Sequence, residues 1–64
     1  EAQELLSQNL RQLEETLEKW RAGKEIKSRF GLSPIARASF DNAIALLEQD
    51  IRFIKQIKEL LKQS

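Results

Sequence analysis

The chain contains no cysteine and no histidine. Their absence excludes disulfide staples and the usual zinc sites. It also excludes the Cys- and His-based nucleophile–base pairs on which many active sites depend. Methionine, tyrosine and valine are missing too. Two glycines and one proline are the only strong breakers, and all three fall in the middle third. No apolar run approaches the roughly 20 residues that span a bilayer. No charged start followed by an apolar stretch marks a signal peptide. The expectation is a soluble protein without redox requirements. What remains is mostly Glu, Leu, Lys, Gln, Ala, Ile and Arg, largely strong helix formers.

At 64 residues the chain has room for a single domain, 1–64. A domain this small buries only about 60% of its unfolded surface. Without disulfides or metal, its stability must come from regular packing, from association, or from both. The net charge of +1 is neutral as to nucleic acid, but the charge is unevenly placed. Residues 1–20 carry Glu1, Glu4, Glu14, Glu15 and Glu18 against Arg11 and Lys19, a balance of −3. Residues 21–39 carry Arg21, Lys24, Lys27, Arg29 and Arg37 against Glu25, a balance of +4. One end is therefore mildly basic.

Leu6, Leu10, Leu13, Leu17 and Trp20 recur at gaps of four and three, a heptad seam on one helix face. Glu4 near its start and Lys19 and Arg21 near its end suit the helix dipole. Gly23 reads as a C′ stop, which predicts a first helix over 2–22. Ile26 and Phe30, with Glu25 and Arg29 at a favourable spacing, predict a short helix over 24–30, ended by Gly31. Ser33 is a cap and Pro34 fits the first helical position, so a third helix is predicted over 34–62. The expected fold is all-α. It is an antiparallel hairpin of two long helices, with the short middle helix closing one end as a small three-helix bundle. Trp20 then meets Phe40, and the middle helix folds Ile26, Phe30 and Leu32 over Trp20, Ile35 and Phe40.

The last helix carries two apolar stripes. Phe40, Ile44, Leu47, Ile51, Ile54 and Leu61 form one, with an internal partner in the leucine seam. Leu46, Phe53, Ile57 and Leu60 form a second, rotated by roughly a quarter to a third of a turn. The middle segment is too short to cover it. Apolar surface without an internal partner implies an external one. The second stripe, with Asn42, Gln49 and Asp50 as polar contacts, is therefore the candidate partner-binding face. The competing structural reading places the first helix between the stripes, with Leu5, Thr16 and the middle segment covering both. The first helix also has an exposed side, Ser7, Arg11, Glu14 and Glu18, that can share an interface. Lys58 is expected to snorkel towards Glu1 or Glu4.

Catalysis finds no constellation here: the serines lack a base, and the glutamates form a solvated helix face. A carboxylate metal site in a bundle wants Glu followed by His three residues on, which this chain lacks. No catalytic residue, cofactor or metal is expected. The expected partner is another protein or a second copy of the chain, with no membrane involved. The basic cluster supports a nucleic-acid reading only weakly, because such domains show a clearer positive excess.

In its whole composition the chain resembles a computationally designed helical miniprotein: a narrow residue alphabet, clean heptads, Gly stops, the Leu32-Ser33-Pro34 restart, and charges placed for the dipoles. Asn9, Ser28, Ser39 and Asn42 depart from that style. The resemblance implies a binder to a chosen target or a designed assembly. A second, local resemblance covers Phe30-Gly31-Leu32-Ser33-Pro34 and Arg37. It is similar to a Phe-Gly-Leu-Thr/Ser-Pro-x-x-Arg segment of one family of phage terminase small subunits. That likeness would imply DNA packaging and oligomerisation.

Overall fold

A computed structural model describes residues 2–63. They form two helices, α1 over Ala2–Arg29 and α2 over Pro34–Gln63, joined by a short turn. The chain is all-helical, as its composition implies. The pairs that join the helices descend in one as they climb in the other. Gln3 Nε2 donates to the Lys58 carbonyl at 3.2 Å, Arg21 meets Glu48, and Lys24 meets Asp41. The hairpin is therefore antiparallel. It is a rod of 48 × 15 × 10 Å with a radius of gyration of 14.8 Å. A compact chain of this length would have a radius nearer 10.7 Å, by the scaling of about 2.2 Å times length to the power 0.38.

The separate middle helix does not form. The segment 24–30 continues α1 through Gly23, with Phe30 entering the turn. Only Gly31 among the described residues has a positive φ, 89°. Gly23 is thus helical and not a stop. The good helix formers on both sides outweigh the roughly 1 kcal/mol that an interior glycine costs. Its missing side chain has a use at this point. A Cβ built on Gly23 would lie 3.6 Å from Phe40 Cε1, so the glycine marks where α2 comes close.

Gly31 carries out the termination. Phe30 N–H donates to the Lys27 carbonyl at 3.1 Å, and Gly31 N–H to the Ser28 carbonyl at 3.2 Å. These tighter bonds close the last turn, and the left-handed glycine reverses the chain. Ser33 then opens α2 as the sequence predicts. Its Oγ accepts from Ala36 N–H at 3.1 Å, and its carbonyl accepts from Arg37 N–H at 2.9 Å. Pro34 occupies the first helical position.

The two glycines predict opposite results for the same substitution. Gly23→Ala is expected to raise stability by about 0.5–1 kcal/mol, since the added methyl meets only ordinary contact. Gly31→Ala is expected to lower it by about 1–2 kcal/mol, because a side chain is strained at that φ. Thermal melts of the two variants check both signs. A destabilised Gly23→Ala would mean that α1 does end there.

Among the described residues only Leu17 and Ile51 are buried, at 8% and 7% exposure. Around them the seam is half-buried: Leu6, Leu10 and Leu13 from α1, and Phe40, Ile44, Leu47 and Ile54 from α2. At the turn end Trp20 and Phe40 pack edge to face, ring centroids 5.4 Å apart at 72°, as the seam predicts. Because α1 runs straight on to Arg29, the middle segment does not fold back as a cover. Phe30 is 85% and Ile35 81% exposed, and Ile26 is also exposed. The core is thus a single row of side chains between two helices, open on both long sides.

Candidate protein-docking face

The two open sides differ in chemistry. On one, Leu17 and Ile51 floor a groove walled by Glu14, Glu18 and Arg21 of α1 and by Glu48, Arg52 and Lys55 of α2. Arg21 Nη2 lies 2.6 Å from Glu48 Oε2 there. Lys24 pairs with Asp41, and Arg29 with Glu25 at 3.2 Å. These pairs sit at the surface, where each is worth about 0–1 kcal/mol, so they favour a register more than they hold the fold. Glu48 bonds across to α1 and not to Arg52 within its own helix, because the neighbouring helix offers a guanidinium at contact distance.

The other side has a groove lined by a single charge. This groove has Leu13, Leu47 and Ile54 as the floor, Asn9, Gln12 and Thr16 along the α1 wall, and Asp50 and Phe53 along the α2 wall. The space is about 420 Å³ and open along its length. That shape suits an elongated ridge of side chains better than an enclosed small molecule. Beyond the groove the apolar wall continues along α2. Leu46, Phe53 and Leu60 are 53%, 57% and 52% exposed, and Ile57 is half-buried. Three of the four side chains of the second stripe are thus more than half exposed. The polar positions separate. Asp50 lines the groove, with no hydrogen-bond or ion-pair partner among the described residues. Asn42 and Gln49 are exposed and do not line it; their helical phase puts them on the outer edge of the stripe.

The part of α1 that shares this side is Asn9, Gln12 and Thr16, and not the flank Ser7, Arg11, Glu14 and Glu18. Glu14 and Glu18 wall the opposite groove. A signal for the right flank was present in the sequence: Asn9, Gln12 and Thr16 recur at gaps of three and four, uncharged in a helix otherwise rich in charge. Thr16 Oγ1 donates to the Gln12 carbonyl at 2.8 Å. That bond ties the hydroxyl proton to its own helix, and the oxygen remains an acceptor.

The cations of the basic end are largely engaged. Arg21, Lys24 and Arg29 are in ion pairs, and Lys27 Nζ stands 5.6 Å from the centroid of the Phe40 ring. Of that cluster only Arg37 lacks an ionic or aromatic partner among the described residues. Lys58 is half-buried and forms no ion pair with Glu4; Glu1 lies outside the described residues. No group of three or more carboxylates among the described residues is placed to hold a metal ion. No described helix is long and apolar enough to cross a membrane. Comparison with protein families, curated proteins and solved structures finds no match for this chain.

Proposed function

We propose that this protein is a non-enzymatic, designed protein-binding module that docks the apolar side of its hairpin on a partner. One observation carries the reading: Leu46, Phe53 and Leu60 stand more than half exposed in a row beside a groove whose only lining charge is Asp50. In a chain with so small a core, leaving such side chains in water forgoes roughly 1.5–3 kcal/mol each. Aromatic and aliphatic anchors amid amide and hydroxyl neighbours fit an interface centre, where charge is depleted. Phe53 and Leu46 are the anchors, with Ile57 and Leu60 extending them. Asp50, Gln49 and Asn42 set specificity, joined by Asn9, Gln12 and Thr16 of α1. The mode is a helix face docked on a preorganised scaffold. The designed origin is supported by the narrow alphabet together with a cap, a proline and a stop glycine each in its expected place. The DNA-packaging likeness gains little from the structure, because Phe30 to Pro34 serve the chain reversal.

Phe53→Ala tests the reading. The variant is expected to keep the helical far-UV signal and to weaken binding to any protein the parent retains by about tenfold or more. Glu18→Ala, on the charged side, is expected to bind as the parent does. A Phe53→Ala chain that stays unfolded even at millimolar concentration would place Phe53 in the hairpin's own core and overturn the proposal.

A further inference from the structure

The docking face needs an occupant, and we infer that it is a second copy of this chain, with the two α2 helices antiparallel in a four-helix bundle. The inference rests on the proposal above and names its partner. The first support is area. The chain exposes 5088 Å². A monomeric globular protein of its 7.4 kDa would expose about 4,200 Å². The surplus of about 900 Å² is close to the roughly 800 Å² that each partner contributes to a standard interface. A second support is the thin core. A fold with two buried side chains depends on cover, and an identical chain is always present at matching concentration.

The third support is self-complementarity, which a two-fold interface demands. Asp50 is the only charge lining the groove. Parallel α2 helices would set the two basic turn ends side by side. Antiparallel helices avoid this. Two antiparallel registers keep stripe on stripe. Leu46, Phe53 and Leu60 repeat every seven residues, so Leu46 then faces Phe53 or Leu60 of the other chain. The charged side, with its ion pairs across the helices, stays in water.

Mass measured by light scattering from micromolar to millimolar concentration tests the pairing. The expected result is twice the chain mass at the upper end, with a melting temperature that rises with concentration. Phe53→Ala is expected to shift the dimer midpoint upward by about 30-fold or more, as loss of a central anchor does. Orientation is read from a spin label on Lys62→Cys, the only thiol in that variant. The two antiparallel registers separate the labels by about 27 or about 38 Å along the axis, whereas parallel helices bring them side by side. A single-chain mass at millimolar concentration, a larger assembly, or adjacent labels would overturn the inference. A monomer removes only the second copy. The docking proposal itself falls if Phe53→Ala also leaves every retained partner unchanged.

Discussion

Replacing Ile51 with alanine is expected to remove about half of the hairpin's stability. Ile51 is the most buried side chain of α2, and it and Leu17 are the only buried ones among the described residues. Truncating a buried isoleucine costs about 2–5 kcal/mol, since transfer energy and packing are lost together. A chain of this size has a total stability of about 3–10 kcal/mol, from roughly 0.05–0.15 kcal/mol per residue. One substitution therefore removes a large share of the whole. Leu17→Ala should match it, because the two sites share one row. Chemical denaturation followed by circular dichroism measures both. A loss under about 1 kcal/mol at either site would mean that the row is not the core.

Phe40→Ala is the second large effect, about 2–4 kcal/mol, scaled down from a fully buried phenylalanine because Phe40 is half-buried. Three contacts meet on this ring. Trp20 packs edge to face on it, Lys27 stands over it, and Gly23 lets it approach the α1 backbone. The aromatic pair contributes about 0.5–1.5 kcal/mol beyond its area. Gly23 has no side chain to fill the space left behind, so truncation leaves α1 and α2 poorly joined near the turn. Trp20 is the only tryptophan, and its emission should move to longer wavelength as water reaches it. Phe30→Ala is the control. At 85% exposure it should change stability by no more than about 0.5 kcal/mol. Equal losses at the two positions would show that the turn folds back over the hairpin after all.

Those two phenylalanines mark where sequence reading succeeds and where it stops. Phe40 follows the heptad spacing of its helix and lies opposite Trp20, so its contact is legible from periodicity. Phe30 lies four residues from Ile26, as a packed pair would, and its exposure is not legible. Its fate depends on whether α1 ends at Gly23 or runs through it. Glycine permits either conformation at similar cost, so a local pattern does not choose between them. The approach of Phe40 and the helix formers on both sides make the choice. The stripe of Leu46, Phe53, Ile57 and Leu60 is readable in the same way as a face of one helix. Which flank of α1 accompanies it is a matter of how the two helices are rotated against each other.

By itself the sequence determined the all-helical class, the antiparallel pairing of two long helices, the stop at Gly31, the restart at Ser33, and the existence of a second apolar stripe. Each of these rests on interactions within about one helical turn or on a repeat along one helix, and such signals are written in neighbouring residues. Only the tertiary structure decided that Gly23 stays helical and that no middle helix covers the end. It also decided that Asn9, Gln12 and Thr16, and not Glu14 and Glu18, wall the apolar groove. Those outcomes depend on the relative rotation and approach of two rods, which side chains distant in the chain settle together.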